Sequence, residues 1–403
     1  MKHIIKQKHI FLFFLIFLIS EIVLAFFASL SVPYAGNFIY KHILGEYGFP
    51  YWLASFTNFD GVHYILIARQ GYLEYSQAFF PVYPLLIRYL APIFLNNHMI
   101  VALVISYTSL FIALIILKKY LKEISFSASQ TFWFIAFLLT FPTSYYFGAI
   151  YTESVFLLTF VSTLYFLEKK NFAGAMVCAI LTALTRLIGI FLIIPILFYF
   201  LNIVLNEHKN SIKTISQFFL RSYKWFLKNK LSLIVILSPI LGFAIYAGYL
   251  FYTHGDPFYF YTSQPKFGAN RSTHLIFFPQ VIYRYVRIFM TAQFNIQYCI
   301  AFLELISFIF AISCIGYELF VVFKTKNWFV PRSGIALFSL ISIILPTLTG
   351  TFSSMPRYTL MSFSTFFVIS TMKNRIVKYI FLASFILLHI TLTALFIQGY
   401  FIS

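Results

Sequence analysis

Charged residues are scarce in this chain, and acidic residues are the scarcest. Only 10% of its 403 residues are charged, with 11 Asp and Glu against 29 Lys and Arg. A soluble domain is normally about one quarter charged, because its surface faces water. The low charge and a mean hydropathy of +0.87 exclude a soluble globular protein. They predict one membrane domain over residues 1–403, in which hydrocarbon replaces water around most of the chain.

Cysteine is also rare, and the positive charges are clustered between the apolar runs. The three cysteines, Cys178, Cys299 and Cys314, lie in apolar stretches without metal-ligand spacing, so we expect small buried side chains and no metal site. The net charge of +18 resides in short basic clusters between apolar runs. That pattern is typical of cytoplasmic loops rather than of a groove for nucleic acid.

Long apolar runs dominate what remains. A spanning helix needs about 20 apolar residues, and the first run, from Ile10 to Val32, is too long for a cleaved signal peptide, so we expect an uncleaved helix. The sequence predicts about eleven spans, at 10–32, 98–117, 131–146, 153–167, 172–186, 188–205, 231–252, 296–322, 334–349, 359–372 and 379–398.

The basic residues predict the orientation of these spans. With a cytoplasmic N-terminus, the inner segments are 1–9, 118–123, 168–171, 206–230, 323–333 and 373–378, and they hold 20 of the 29 Lys and Arg. Two outer segments, 33–97 and 253–295, are long and rich in Tyr, Phe and Pro. We expect them to carry helices that lie in the membrane interface.

One group of uncommon polar residues falls on the predicted outer side, although the topology was built from apolar runs and Lys and Arg clusters alone. They include Asp60, His63, Glu153, Arg186, Asp256, Gln264, Arg357 and Tyr358. Ionisable groups near a membrane usually mark function. Asp60 and His63 are three residues apart, so they share a face if the segment is helical. A poorly solvated carboxylate there can act as a general base.

Arginine supplies the other half of the predicted chemistry. The planar guanidinium groups of Arg186 and Arg357 suit phosphate oxygens. Each of these residues also has a non-catalytic interpretation. Asp60 and His63 could form a structural ion pair, and Glu153 could be a first-turn carboxylate favoured by the helix dipole. The arginines could extend to lipid headgroups, and Gly255-Asp256-Pro257 could be a plain turn.

The first outer segment resembles the GPI mannosyltransferase II (PIG-V) family. That family has a W/F-D-x-x-H-F/Y-x-x-I-A-x-x-G-Y run followed by A-F-F-P-x-x-P, and residues 59–72 and 78–84 follow both patterns, with Phe59 where many members have Trp. The elements Tyr151-Thr152-Glu153-Ser154, Thr185-Arg186-Leu187-Ile188-Gly189, Gly255-Asp256-Pro257 with Gln264, and Pro356-Arg357-Tyr358 are similar to later blocks of the same group.

This resemblance implies a multi-spanning, inverting glycosyltransferase of the GT-C type. Nothing in the sequence marks an endoplasmic reticulum signal, so we expect a prokaryotic plasma membrane, and because the acidic residues are spread over distant loops we expect no cofactor and no catalytic metal. The enzyme's donor would be a polyprenyl-phosphate-linked sugar such as mannose, and its acceptor a glycan, lipid or protein hydroxyl. Asp60 would be the base, and His63 would orient it or contact the donor phosphate. Arg186 and Arg357 would hold the leaving phosphate. The remaining residues, Glu153, Asp256 and Gln264, would shape the sugar or acceptor site, with Tyr358 beside Arg357.

Two other classes remain open. A transporter or lipid flippase would place charges near the bilayer midplane and often shows two related halves. A non-catalytic scaffold subunit would not need these polar residues on one side, but could have inherited them from an enzyme.

Overall fold

The computed structural model describes residues 2–35, 40–208, 214–263, 275–325 and 329–402. Over these ranges the chain is 80% helical and has no strand, which confirms an all-α protein. The first helices are α1 (Lys2–Ser31), α2 (Lys41–Gly45), α3 (Tyr51–Ala54), α4 (Asp60–Gln70), α5 (Val82–Leu90), α6 (His98–Glu123), α7 (Ala128–Thr140), α8 (Glu153–Glu168), α9 (Phe172–Thr185) and α10 (Ile193–Glu207). They are followed by α11 (Ile215–Lys228), α12 (Lys230–His254), α13 (Tyr259–Thr262), α14 (Phe278–Thr291), α15 (Ile296–Thr325), α16 (Pro331–Thr347), α17 (Met355–Leu360), α18 (Phe363–Thr371) and α19 (Arg375–Ile397).

Six helical segments are long and apolar enough to cross a membrane. Within the described ranges these are His9–Ser31, His98–Glu123, Leu187–Glu207, Lys230–His254, Ile296–Thr325 and Arg375–Ile397. Each coincides with a predicted span. The other five predicted spans contain helices that are shorter than about 18 residues, so the structure confirms a membrane protein but does not confirm the count of eleven.

Two of the shorter helices end where local chemistry interrupts them. The predicted span 131–146 is helical only to Thr140, because Phe141 precedes Pro142 and adopts an extended ψ of 144°. The predicted span 359–372 is divided into α17 and α18. Ser362 breaks the helix there, and its hydroxyl accepts a hydrogen bond from Thr365 Oγ1 at 3.1 Å.

The helices pack in a closed order around the bundle. Helix α6 packs against α8, α8 against α9, α9 against α12, α12 against α10, and α10 against α16. The order continues through α15, α18, α7 and α19 to α1, which contacts α6. Close approach depends on small residues, as is common in membranes. A Cβ atom on Gly242 of α12 would lie 2.5 Å from the carbonyl oxygen of Ile180 on α9.

The two segments predicted to be outer, 33–97 and 253–295, carry short helices. The first holds α2 to α5, of which α4 packs on α5 and α6. The second holds α13 and the amphipathic α14, which buries Val281 and Tyr285 and exposes Tyr283. The segment 206–230, predicted to be inner, also contains a helix, α11, which the sequence did not predict.

Candidate active site

Asp60 is the first residue of helix α4, immediately after a strained turn. Phe59 has φ of 57°, in a region that non-glycine residues rarely adopt. Such conformations cost about 1–3 kcal/mol and persist only where the surroundings impose them. The helix begins directly after this turn, which fixes the direction in which the Asp60 carboxylate leaves the backbone.

The preceding residue, Asn58, supplies the constraint. Asn58 is fully buried, and its Nδ2 donates to the carbonyl oxygens of Phe396 at 2.7 Å and Ile397 at 3.2 Å, at the end of α19. The Tyr151 hydroxyl donates to the Asn58 carbonyl at 2.9 Å. The turn before Asp60 is therefore held by the C-terminal helix and by the loop before α8.

Arg357 lies on α17, which also follows a residue with positive φ. Ser354, with φ of 66°, precedes α17. The buried Glu304 of α15 accepts a hydrogen bond from the backbone of Ser354 and another from the Tyr285 hydroxyl at 2.5 Å. The same hydroxyl accepts from the Phe352 backbone N–H at 3.0 Å. The segment that carries Arg357 is thus held by two buried polar side chains.

Four charged side chains form one continuous network. Arg357 Nη1 donates to Asp60 Oδ2 at 2.9 Å, and its Nε donates to Glu153 Oε1 at 2.5 Å. Glu153 Oε1 also accepts from Arg186 Nη1. Two carboxylates and two guanidinium groups balance in charge, so the network is neutral. It joins elements that lie far apart in the sequence: α4, α8, the end of α9 and α17.

Burial differs sharply across this network. The Glu153 side chain is 0% exposed, and those of Arg357 and Arg186 are 11% and 15% exposed, but that of Asp60 is 33% exposed. Asp60 is therefore the member that a ligand reaches most easily. Its Oδ1 accepts no hydrogen bond from the part of the chain that the structure describes.

The guanidinium group of Arg357 is also enclosed by aromatic rings. It lies 4.7 Å from the ring centroids of both Tyr146 and Tyr151, within the range of cation–π attraction. Burial lowers the pKa of Arg357, but Glu153 and then Asp60 raise it more, so the pKa stays well above its ordinary value. Arg357 is thus a fixed positive charge.

Arg186 reaches the network because the chain turns sharply after α9. Arg186 has an extended backbone, with φ of −154°, between α9 and the 3₁₀ turn Leu187–Leu192. That turn packs against α9 at Gly189, where a Cβ atom would collide with the carbonyl oxygen of Thr182. The Thr-Arg-x-x-Gly spacing thus has a physical reason, because the glycine permits the turn that directs Arg186 inward.

His63 lies one turn along α4 from Asp60, so the expectation of a shared helical face is met. Its Nε2 is 3.3 Å from the Tyr40 hydroxyl, and its ring stacks on Phe79 at 5.1 Å. Burial lowers the pKa of His63 below its ordinary 6.5, and the Asp60 carboxylate opposes this only in part. His63 is therefore a neutral imidazole near pH 7.

One of the alternative interpretations is wrong, and another holds alongside the network. Both arginines turn inward to Glu153 rather than outward to lipid headgroups. Asp60 is bonded to Arg357, so its partner is not simply His63. Glu153 does lie in the first turn of α8, where the helix dipole favours a carboxylate, but its main partners are the two arginines.

Besides His63, two predicted site residues that the structure describes are not part of the network. Asp256 follows α12, and its Oδ1 accepts a hydrogen bond from the Phe258 backbone N–H at 2.8 Å. It therefore stabilises the local turn, as the alternative of a plain turn at Gly255-Asp256-Pro257 expects. Tyr358 packs against the apolar cluster around Phe352 because it lies on another side of α17 from Arg357. Gln264 lies outside the described residues.

The sequence did not single out several residues that complete the site. Tyr146 and Tyr151 stack on Arg357, Asn58 holds the turn, and Tyr40 and Phe79 contact His63. Two of them carried a usable signal, because Tyr151 and Phe79 lie within the blocks 151–154 and 78–84 that carry the family resemblance. Among the described residues no three His, Cys, Asp or Glu side chains come together as metal ligands would.

Comparison with known proteins adds no assignment. No protein-family model matches the chain, and no curated protein matches it either. The site must therefore be interpreted from its own geometry.

Proposed function

We propose that the chain is an integral membrane glycosyltransferase. It transfers a sugar, mannose by resemblance, from a polyprenyl-phosphate-linked donor to a hydroxyl of a glycan or lipid acceptor. The observation that carries the proposal is the partly exposed Asp60 carboxylate, which is bonded to the buried Arg357. Arg357 and Arg186 in turn both bond Glu153. One ionised base beside two fixed cations suits transfer from a phosphate leaving group to a hydroxyl.

Asp60 acts as the general base in this proposal. Its Oδ1 accepts the proton of the acceptor hydroxyl while Oδ2 stays bonded to Arg357. The acceptor oxygen forms a bond to the anomeric carbon from the side opposite the phosphate. The bond between that carbon and the phosphate oxygen breaks, and its electron pair leaves with the polyprenyl phosphate. The configuration at the anomeric carbon inverts.

The arginines act on the leaving group. Each guanidinium has five N–H donors, and the contacts with Asp60, Glu153 and Thr152 occupy only some of those in Arg357 and Arg186. The donors that bond no described residue stabilise the charge that develops on the phosphate. Glu153 is too deeply buried to touch the sugar, so its role is to position both arginines.

His63 serves as a neutral partner of the site. An imidazole with a lowered pKa offers one donor and one acceptor but no charge. It would therefore hydrogen-bond a donor or acceptor oxygen, or orient Asp60, rather than attract the phosphate by charge. Its stacking on Phe79 fixes the plane of the ring.

The architecture we propose is a GT-C type bundle in a plasma membrane. The five shorter predicted spans lie in the membrane among the six long ones. The N-terminus is cytoplasmic, and the Asp60 network faces the other side, where polyprenyl-linked donors and membrane lipids are reached. The distribution of Lys and Arg supports this orientation.

Sugar transfer tests the proposal directly. Membranes with the wild-type chain, Asp60→Asn or Asp256→Asn would be incubated with polyprenyl phosphate [³H]mannose and candidate glycan and lipid acceptors. Loss of a general base lowers rates by about 10²–10⁴-fold, so we expect Asp60→Asn to lose transfer while Asp256→Asn, an outer acid outside the network, retains it. Transfer by Asp60→Asn at the wild-type rate would overturn the assignment of the base.

A second candidate function is proton-linked transport, and one observation favours it. Glu21 of α1 is fully buried in a spanning helix, and its Oε1 lies 2.7 Å from Nε2 of His389 on α19. Ionisable pairs within membrane helices often carry protons. If the wild-type chain transfers no sugar, proton flux into proteoliposomes would be compared between wild type and Glu21→Gln. Loss of flux in that variant would favour transport.

A further inference from the structure

Helix α11 is amphipathic, and it lies at the end of the bundle opposite the Asp60 network. It joins the end of α10 to the start of α12. The other end of α12 is near the network, because His254 Nε2 lies 3.2 Å from Nε2 of Gln77 in the first outer segment. The 25 residues of α12 extend about 37 Å, so α11 and the network are separated by roughly the thickness of a membrane.

One face of α11 is fixed to the protein. Phe218 is 3% exposed and stacks on Phe329 at 4.4 Å between ring centroids, and Ser222 is 4% exposed. Trp225 Nε1 donates to Glu207 Oε2 at 2.8 Å, and the Thr214 hydroxyl caps the helix by accepting from the Gln217 backbone N–H. The helix is therefore built into the fold at both ends.

A second face is apolar and has no protein partner. Phe219, Tyr223 and Leu227 recur at intervals of four residues, with Leu220 beside them, and each is more than half exposed. A helix repeats every 3.6 residues, so these side chains form one stripe along the surface. In a chain that spans a membrane, this stripe faces the lipid at the level of the interface.

A third face is basic and borders the apolar stripe. Arg221, Lys224 and Lys228 lie along it, and none of the three forms an ion pair with the described residues. The helix has no acidic residue of its own, and the nearby Glu207 is engaged by Trp225. These positive charges lack counter-ions within the described chain and lie next to lipid-facing apolar side chains.

We propose that α11 is a binding surface for anionic phospholipid headgroups. The apolar stripe inserts beside the acyl chains, and the three basic side chains bind lipid phosphates at the depth where those phosphates lie. Charge complementarity favours anionic over zwitterionic lipids. In a zwitterionic headgroup the lipid's own positive group competes with the basic side chains for the phosphate. The interaction anchors the bundle at the membrane face remote from the Asp60 network, and it does not depend on the proposed transferase activity.

The test uses the purified full chain in mixed micelles with phosphatidylglycerol or phosphatidylcholine of identical acyl chains. The triple variant Arg221→Gln, Lys224→Gln, Lys228→Gln would be compared with a matched variant at the other end, Arg69→Gln, Arg88→Gln, Arg287→Gln. Unfolding temperature and the number of lipids retained in native mass spectrometry would be measured at low and high salt.

We expect phosphatidylglycerol to stabilise the wild-type chain more than phosphatidylcholine, with a preference that weakens in salt. Removing three charges near the surface should weaken phosphatidylglycerol binding by roughly a hundredfold, whereas the matched variant should keep most of the preference. Equal loss in both variants, or full retention in the α11 variant, would overturn the proposal. So would equal stabilisation by soluble glycerol 3-phosphate, which carries the phosphate but no acyl chains.

Discussion

Arg357 and Asp60 are 297 residues apart in the sequence, and their side chains meet at 2.9 Å between Nη1 and Oδ2. The contact brings together two segments that each follow a residue with positive φ, Phe59 and Ser354. Each segment is held by its own buried polar contacts. The position of the acid relative to the arginine is therefore determined by the backbone on both sides.

Glu153→Gln should destabilise the protein strongly. The carboxylate is fully buried and neutralises two arginines, and breaking a buried ion pair by removing one partner costs about 3–5 kcal/mol. Sugar transfer should also be lost, because both arginines would move. Thermal unfolding in detergent and the transfer assay would measure the two effects.

The control for this change is Glu123→Gln. Glu123 pairs with Lys169 at 2.6 Å, but both side chains are exposed by about a third or more, and surface pairs contribute about 0–1 kcal/mol. Equal losses of stability in the two variants would contradict the central position that we give to Glu153.

Arg357→Lys should abolish transfer although the charge is kept. An ammonium group cannot bond Asp60 and Glu153 in the same fork geometry, nor lie flat between two tyrosine rings. The matched variant is Arg332→Lys, because Arg332 also bonds a buried carboxylate, Glu318, and lies over aromatic rings away from the network. Both variants should lose stability, but only Arg357→Lys should lose transfer. Wild-type transfer by Arg357→Lys would show that fork geometry is not required.

Asn58→Ala should affect the site through the turn before Asp60. The change removes two hydrogen bonds to α19 and leaves the buried Phe396 carbonyl without its amide donor, at a cost of about 1–3 kcal/mol. The comparison is Asn97→Ala, which removes a helix N-cap and costs about 1 kcal/mol. Transfer per folded molecule should fall only in Asn58→Ala; an equal fall in both would show that it reflects lost stability alone.

The sequence could predict the members of the charged network but not its connections. Asp60, Glu153, Arg186 and Arg357 were recognised because ionisable residues stand out in an apolar chain and because topology placed them on one side. That Glu153 joins both arginines depends on contacts across 33 and 204 residues, which no local pattern encodes. Asp256 shows the same limit, since a turn-forming aspartate and a ligand-binding aspartate look alike in sequence, and its bond with the Phe258 backbone is seen only in the structure.

The long helices of the fold could be predicted from the sequence, but the breaks between the shorter ones could not. Apolar runs located the six long helices, because length and hydropathy alone define a span. The ends of the shorter helices depend on local breaks, such as Phe141 before Pro142 and the serine at 362. A hydropathy value averaged over a whole apolar run does not reveal such breaks. Helix α11 was missed because its amphipathic pattern lies within a basic segment that served only to set the orientation.

The last prediction concerns pH and His63. Burial holds the pKa of His63 below 6.5 in the folded chain, so below about that pH the unfolded chain binds more protons than the folded chain. The free energy of unfolding should therefore decrease as pH falls through 6.5, and the contribution of His63 should be constant above it. In His63→Gln this contribution is absent, so the variant should lose less stability than wild type between pH 7 and 5. Unfolding temperatures of both proteins across that range would measure the difference, and parallel curves would show that His63 is as free to protonate in the folded chain as in the unfolded one.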